Sequence, residues 1–184
     1  MRISLIITTY NRPDALLLVL KSVEIQSLMP LEVIIADDGS DKRTKDLIYK
    51  LSKETNLSII HSWQEDRGFR ASRSRNKAIL KSTGEYIVLI DGDSILHPNF
   101  IFDHIANAEP RYFVQGTRVL LTEKQTKQTM NKRLVNFPFF SSDFLNRKNA
   151  IHSNLLSFIF SNKKNSLSGV KTCNLAFYRE DCIK

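Results

Sequence analysis

The stretch Gly84–Pro98, GEYIVLIDGDSILHP, decides the fold that we expect for this chain. Five apolar or aromatic residues, Tyr86–Ile90, run directly into Asp91-Gly92-Asp93. A continuous apolar run of this length is typical of a strand that lies inside a parallel sheet and is buried on both faces. The stretch therefore predicts an internal strand whose carboxyl end carries two acidic side chains.

Strands and helices alternate along the chain before that strand. β-branched runs predict three earlier strands, over residues 3–9, 32–36 and 57–63. Apolar residues at helical spacing predict a helix after each of them, over about residues 13–27, 41–53 and 69–82. This alternation indicates an α/β fold, a parallel sheet with helices on both faces. Polar residues end every strand, so we expect a ligand site at the shared carboxyl edge of the sheet.

The second half of the chain is less regular. Residues 111–121 predict a strand interrupted near Gly116, and residues 169–178 predict a last strand. With 184 residues, 42% of them hydrophobic, the chain has the size and composition of one globular domain. No apolar run reaches the roughly 18 residues that a membrane span needs. Two cysteines, Cys173 and Cys182, form no disulfide framework, which favours a reducing, cytoplasmic location.

The net charge of +8 is concentrated in two segments. Residues 67–81 hold six Lys or Arg and no acid, and residues 124–171 hold nine against one acid, Asp143. Such runs are either a solvated surface or a contact for an anionic partner, such as nucleotide phosphates or an anionic membrane. We do not expect nucleic-acid binding, because aromatic residues do not alternate with the basic ones as a base-stacking surface requires.

Asp91 and Asp93 have the chemistry of a metal site. In extended geometry both side chains point to one face, and Gly92 leaves room for close approach of the backbone. Two carboxylates on one face repel each other unless a cation joins them, and their oxygens suit Mg²⁺ or Mn²⁺. The alternative is a capped turn that leads into a helix near Pro98. Asp37-Asp38-Gly39-Ser40 has the same two interpretations.

Arg75 lies on the helix face that should meet the sheet, together with Ala71 and Ala78. An inward arginine needs a partner. That partner is either an aspartate at a strand end, as a structural ion pair, or a bound nucleotide.

Four segments in order resemble the family 2 glycosyltransferases of the GT-A fold: ISLIITTYNRPD, EVIIADDGS, QEDRGFRASRSRNKAI and GEYIVLIDGDSILHP. The resemblance covers residues 1 to about 121. QEDRGFR and the later GVKTCNLAFYRED point to the bacterial galactosyltransferase-like branch. The family implies a Rossmann-like, mostly parallel sheet flanked by helices. It also implies a nucleotide-sugar-binding half, residues 1–121, and an acceptor-side region, residues 122–184, within the same domain.

The resemblance implies a nucleotide site at the strand ends. Asp38 matches the residue that accepts a hydrogen bond from the uracil imide, and the loop from Asp66 to Arg70 matches the wall around base and ribose. The full set of expected nucleotide-binding residues is Thr8, Tyr10, Arg12, Asp37, Asp38, Asp66, Gly68, Arg70, Arg75 and Asp91.

Asp91 and Asp93 match the family's D-x-D motif, and we take both as the catalytic residues. In the family pattern Asp93 is the direct ligand of Mn²⁺ or Mg²⁺, and Asp91 lies nearer the ribose and diphosphate. The ion would neutralise the diphosphate leaving group.

The expected function is metal-dependent, inverting transfer of a sugar from a nucleotide-diphosphate sugar, a UDP-sugar first of all, to a glycan or lipid-linked saccharide. Such a role fits bacterial cell-envelope polysaccharide synthesis. One alternative is a nucleotide-sugar-binding domain with impaired catalysis. Another is a haloacid-dehalogenase-type phosphatase with Asp91 as its nucleophile. The apolar segments FPFF and LLSFIF, set among basic residues, suit either peripheral contact with an anionic inner membrane face or ordinary core.

The general base is not apparent in the sequence. Inverting members carry an acidic base downstream of an Asn-Ala-Phe strand. Here Asn174-Leu175-Ala176-Phe177 is followed by seven residues, in which Glu180-Asp181 is the only acidic pair. We therefore expect a shortened form or a base from elsewhere, with donor binding but weak turnover.

Overall fold

The computed structural model describes residues 1–135, 145–146 and 169–182, which form six strands and five α-helices. The strands are β1 (Ile3–Thr9), β2 (Glu32–Asp37), β3 (Ile59–Trp63), β4 (Tyr86–Asp91), β5 (Val114–Gln115) and β6 (Asn174–Tyr178). The helices are α1 (Pro13–Glu24), α2 (Lys42–Glu54), α3 (Ala71–Lys81), α4 (Phe100–Ala106) and α5 (Glu123–Lys132). A short 3₁₀ helix, Arg179–Asp181, follows β6.

All six strands belong to one sheet in the order β3-β2-β1-β4-β6-β5. The first four strands in this order are parallel, and β6 runs antiparallel to both β4 and β5. The predicted α/β fold with a mostly parallel sheet is therefore confirmed. The direction of β6 places Asn174 opposite Ile90 and Tyr178 opposite Tyr86.

Alternate residues of each strand build two cores, one on each face of the sheet. Leu5 and Ile7 of β1 pack with Leu16 of α1 in the larger core. Ile6 of β1 points the other way and packs with Ala78 of α3. All five side chains are fully buried, and burial of one such aliphatic side chain contributes about 1.5–3 kcal/mol. Helices therefore cover both faces, as predicted.

The ends of the helices follow from local hydrogen bonds. α2 begins after Asp41, whose carboxylate accepts hydrogen bonds from the backbone N–H groups of Arg43 and Thr44 at 3.1 and 3.4 Å. α1 begins with Pro13 at its first position. It ends at Glu24, three residues earlier than predicted, because the N–H of Ser27 donates to the carbonyl of Pro98 at 2.8 Å instead of continuing the helix.

The predicted strand over residues 111–121 is wrong in extent, since only Val114–Gln115 pairs with β6. Beyond that point side chains bind the backbone in place of a neighbouring strand. Asn174 Nδ2 donates to the carbonyl of Thr117 at 3.3 Å, and Asn146 Nδ2 donates to that of Arg118 at 2.8 Å. Likewise β6 begins at Asn174 and not at Gly169. The apolar segments FPFF and LLSFIF lie outside the described residues.

Within the described ranges, no helix combines the length and the apolar character needed to cross a bilayer.

Candidate functional site

The carboxyl ends of β1, β2, β3 and β4 bring the predicted polar residues to one edge of the sheet. In the strand register Thr8 lies beside Asp91, Thr9 beside Asp37, and Asp37 beside Trp63. The residues that follow these strands therefore meet in one place, as expected for a parallel sheet.

Gly92 allows the two aspartates after β4 to lie against β1. Its N–H donates to the carbonyl of Thr8 at 2.7 Å, and a Cβ atom at this position would lie 2.7 Å from the same carbonyl oxygen. Any larger residue would push the turn away from β1. Asp91 is partly buried, with 32% of its side chain accessible, and Asp93 is exposed.

Two arginines flank the Asp91 carboxylate. Arg75 Nη2 lies 3.6 Å from Oδ1, and Arg118 Nη1 lies 3.7 Å from Oδ2. Arg75 also donates from Nε to Thr8 Oγ1 at 3.0 Å, so this inward arginine is paired, as predicted. The pKa of Asp91 is raised, chiefly because its carboxylate is partly buried. Arg75 and Arg118 act to lower this pKa and Asp93 acts to raise it, but burial has the largest effect.

The donor set around Asp91 and Asp93 fits a divalent ion completed by a substrate. The repulsion from Asp93 that raises the pKa of Asp91 is the kind that a bound cation relieves. The part of the chain that the structure describes contains no group of three His, Cys, Asp or Glu able to hold a metal. Mg²⁺ is commonly held by one or two carboxylates together with substrate phosphates. Asp91 and Asp93 would be those carboxylates.

Asp37 does not face the site. Its side chain is fully buried, and Oδ1 accepts from the N–H groups of Gly39 and Ser40 at 3.2 and 2.8 Å. His61 Nε2 donates to Oδ2 at 2.8 Å. Burial acts to raise the pKa of Asp37, but the hydrogen bonds from His61 and Ser40 outweigh it, and the pKa is lowered. The Asp37 carboxylate is thus hydrogen-bonded within the turn that follows β2 and to His61 of β3, and its contact with a nucleotide stays a prediction.

Asp38 holds the loop after β3. Gln64 Nε2 donates to Oδ1 at 2.6 Å, and the backbone N–H of Arg70 donates to Oδ2 at 2.7 Å. The N–H of Asp38 itself donates to the carbonyl of Thr9 at 3.0 Å. These bonds bring β1, β2 and the residues 64–70 together.

The same loop is tied to β1 by Asp66. Tyr10 donates from its hydroxyl to Asp66 Oδ2 at 2.9 Å, a hydrogen bond that raises the pKa of Tyr10. The N–H of Gly68 donates to Asp66 Oδ1 at 3.1 Å, and Gly68 has a φ of +81°, where glycine is favoured. The Arg70 side chain turns back to the carbonyl of Glu65. The structure thus brings Thr8, Tyr10, Asp66, Gly68 and Arg70 to one edge.

Arg12 lies at the start of α1, and its side chain is exposed. Its Nε lies 3.5 Å from Oδ1 of Asp14 on the same helix. The residue between Tyr10 and Arg12 has a role that the sequence did not indicate. Asn11 donates from its N–H to Ser40 Oγ at 2.9 Å and accepts from the N–H of Asp41 at 2.8 Å, which joins the ends of β1 and β2.

Arg118 is the other residue that sequence reasoning missed. It lies 27 positions after Asp91, in a segment predicted to be a strand, and its approach to Asp91 depends on how β5 packs against β6. No signal in the sequence pointed to it, since Arg118 lies outside both basic segments, 67–81 and 124–171.

Glu180 and Asp181 lie at the opposite edge. They follow Tyr178, which pairs with Tyr86 at the start of β4, and the N–H of Arg179 donates to the carbonyl of Glu85 at 2.9 Å. The five residues of β6 separate them from the Asp91 edge by about 16 Å, at about 3.3 Å per residue. This pair is therefore remote from the Asp91 edge.

The chain is similar to known proteins in sequence and in fold. The family model described as glycosyl transferase family 2 matches residues 4–182. A hyaluronan synthase of Pasteurella multocida is 34% identical over 105 residues, which make up 56% of this chain and 11% of that protein. The structure of S. aureus TarS 1–349 in complex with UDP-GlcNAc matches with a TM-score of 0.50 and 26% identity, over 58% of this chain and 30% of that one.

A glucosyl-3-phosphoglycerate synthase from Mycobacterium tuberculosis, solved with Mn²⁺, UDP and glucosyl-3-phosphoglycerate, has the same fold over most of the present chain. The TM-score is 0.54 at 15% identity, and the match covers 97% of this chain and 57% of that one. The chain spans less than two thirds of the length of each of these relatives. The family model covers nearly the whole chain, and the chain therefore belongs to glycosyl transferase family 2 with the GT-A fold.

Proposed function

We propose that the protein is a metal-dependent glycosyltransferase that moves a sugar from a UDP-sugar to a glycan or lipid-linked saccharide, with inversion. The observation that carries the proposal is the meeting of Asp91-Gly92-Asp93 with Asp38 and the Asp66–Arg70 loop at one sheet edge. With the family established, the phosphatase alternative is no longer retained.

The donor nucleotide would lie along the ends of β1 and β2. Asp38 is the acceptor for the uracil imide in this proposal, and the loop that it holds, Asp66–Arg70, supplies the wall for base and ribose. The TarS structure was solved with UDP-GlcNAc, which supports a uridine nucleotide here.

The charges at the diphosphate end favour a divalent cation. The carboxylates of Asp91 and Asp93 and the guanidinium groups of Arg75 and Arg118 cancel in formal charge. A divalent cation would make this end of the site positive, which suits a diphosphate. Bound there, the ion would stabilise the negative charge on the departing nucleoside diphosphate. Asp91 and Asp93 would hold it, and Arg75 would keep Asp91 in position.

A second candidate function is binding of the nucleotide sugar without efficient transfer. Inversion by direct displacement needs a base near the acceptor hydroxyl. Glu180 and Asp181 lie at the far edge of the sheet, and this placement favours the second candidate for the described residues. Both candidates require the same donor site, and a cytoplasmic location with peripheral membrane contact is proposed for either.

Calorimetric titration of the chain with UDP, with and without Mn²⁺, tests the donor site. We expect Mn²⁺ to strengthen binding of UDP to the parent and to have little effect on Asp93→Ala, because that variant lacks a proposed ligand. Asp46→Ala is the matched control, since it removes the same charge from an exposed position on α2. Asp93→Ala should unfold at the same urea concentration as the parent.

Equal Mn²⁺-dependent binding by Asp93→Ala and the parent would contradict the metal role. Absence of UDP binding by a folded parent would contradict the donor site itself. Radiolabelled sugar transfer to a lipid-linked acceptor then separates the two candidate functions.

A further inference from the structure

We propose that Arg118 binds the diphosphate of the donor and that Asn174 is the residue that positions it. The proposal rests on the donor site described above and adds a residue from the second half of the chain. Arg118 and Arg75 approach different oxygens of the Asp91 carboxylate, at 3.7 Å from Oδ2 and 3.6 Å from Oδ1. The two arginines therefore flank the proposed metal-binding end of the site.

Arg118 extends from a segment without regular secondary structure, yet the backbone of that segment is held from two sides. Asn174 accepts from the N–H of Gly116 through its carbonyl at 3.0 Å and donates from Nδ2 to the carbonyl of Thr117 at 3.3 Å. Asn146 donates to the carbonyl of Arg118 and accepts from the N–H of Leu120, at 2.8 and 2.7 Å. Arg118 thus starts from a fixed backbone position.

Gly116 permits the close contact with Asn174. A Cβ atom on Gly116 would lie 2.0 Å from Asn174 Nδ2, closer than any real contact. The glycine therefore lets the amide of Asn174 reach the carbonyl of the next residue, Thr117.

His104 fixes the orientation of that amide. His104 Nε2 lies 2.9 Å from Asn174 Oδ1, and the imidazole is almost fully buried on α4. The carbonyl of Thr117 can only accept, so Nδ2 of Asn174 must face it and Oδ1 must face His104. Nε2 of His104 therefore carries the proton. A chain of contacts runs from His104 through Asn174 to the segment that carries Arg118.

The position of Arg118 suits a ligand better than a purely structural ion pair. Its side chain is 53% accessible, and a partly exposed pair at 3.7 Å adds little to fold stability. Both arginine distances to Asp91 exceed a normal hydrogen bond. A planar guanidinium group matches phosphate oxygens in pairs.

Titration with UDP and with uridine tests the role of Arg118, because uridine has the base and ribose but no phosphate. In the presence of Mn²⁺ we expect Arg118→Ala to lower the affinity for UDP about ten- to a hundredfold, the range for loss of a charged hydrogen bond. The affinity for uridine should stay unchanged. Lys124→Ala is the matched control, as it removes the same charge from an exposed position of α5. Arg118→Lys should recover only part of the affinity.

Asn174→Ala tests positioning through a double-mutant cycle. If Asn174 acts through Arg118, Asn174→Ala lowers the UDP affinity of the parent but causes almost no further loss of affinity in the Arg118→Ala variant. Full additivity of the two losses would contradict the positioning role. If Asn174→Ala fails to fold, His104→Ala, which frees the same amide, takes its place in the cycle.

UDP affinity of Arg118→Ala within about twofold of the parent would overturn the proposal while leaving the donor site intact. An equal loss for UDP and uridine would also overturn it, since a general distortion explains that result. A folded parent that binds neither ligand would overturn the proposed function along with it.

Discussion

Neighbouring acids with the same chemistry serve different purposes at this site because of the partners around each one. Asp37 is surrounded by donors from its own turn and from His61, so its carboxylate stabilises the fold. Asp38, the next residue, holds a loop that borders the site. Two adjacent aspartates in a sequence can therefore hold different parts of the fold together.

Asp38→Ala should weaken the binding of UDP more than the binding of a nucleotide that lacks the uracil imide. The expected difference is about 1–3 kcal/mol, the cost of losing one buried hydrogen bond to a charged group. Competition titrations with UDP and CDP measure it. Loss of the loop contacts to Gln64 and Arg70 should affect both nucleotides alike, so only the difference between them reports on the base.

Asp41→Ala is the control for that experiment, because Asp41 caps α2. It should lower the free energy of unfolding by about 1 kcal/mol and leave the discrimination between UDP and CDP unchanged. Equal losses for the two nucleotides in Asp38→Ala would identify Asp38 as a structural residue only.

The elements that the sequence predicted well are those whose pattern is local. β1–β4 and the helices between them follow from continuous β-branched runs and helical spacing, and their predicted limits differ by only a few residues from those observed. The direction of β6 could not be predicted, since alternation along a strand does not depend on the direction of its neighbour. The contacts of Arg118 with Asp91 and of His104 with Asn174 join residues far apart in sequence, and no local pattern encodes them.

At the amino edge of the sheet one carboxylate joins three elements. Glu32, the first residue of β2, accepts from Ser4 Oγ of β1 at 2.6 Å and from the N–H and hydroxyl of Thr83 at 2.6 and 3.0 Å. Burial acts to raise the pKa of Glu32, but these hydrogen bonds from Ser4 and Thr83 outweigh it, and the pKa is lowered. The carboxylate therefore stabilises the folded chain in its ionised form.

We expect Glu32→Gln to cost about 1–3 kcal/mol of unfolding free energy near neutral pH. A pKa lowered by folding contributes stability above the unfolded pKa of about 4.3, and that contribution is lost as the pH falls through the folded pKa. The gap between parent and variant should therefore shrink in acid. Urea denaturation of both proteins near neutral pH and well below the unfolded pKa measures it, and a gap that is the same at both values would contradict this role.

For the whole molecule, we expect binding to anionic vesicles that weakens with salt. The basic residues of 124–171 would meet lipid headgroups while the FPFF and LLSFIF segments enter the interface. Co-sedimentation with phosphatidylglycerol vesicles should fall as ionic strength rises and the screening length shortens to about 10 Å near 0.1 M. Phosphatidylcholine vesicles are the control.

No sedimentation with anionic vesicles at low salt would show that the two apolar segments are core. The variant with Phe137, Phe139 and Phe140 changed to Ser separates the possibilities further. Membrane insertion predicts weaker vesicle binding with an unchanged urea midpoint, whereas core packing predicts a lower midpoint.

The pairing of β5 with β6 has a consequence for how such a protein can diversify. The chain leaves the sheet after Gln115 and returns to it at Asn174, and Gln115 lies directly opposite Leu175. The intervening residues, which include α5, thus have both ends anchored on adjacent strands, and the entropy of closing such a connection rises only slowly with its length. Insertions, deletions or exchanges that spare Arg118 and Asn146 would leave the four parallel strands and the proposed donor residues in place. Acceptor preference could then change over generations by replacement of the rest of this stretch, while the proposed donor site is inherited intact.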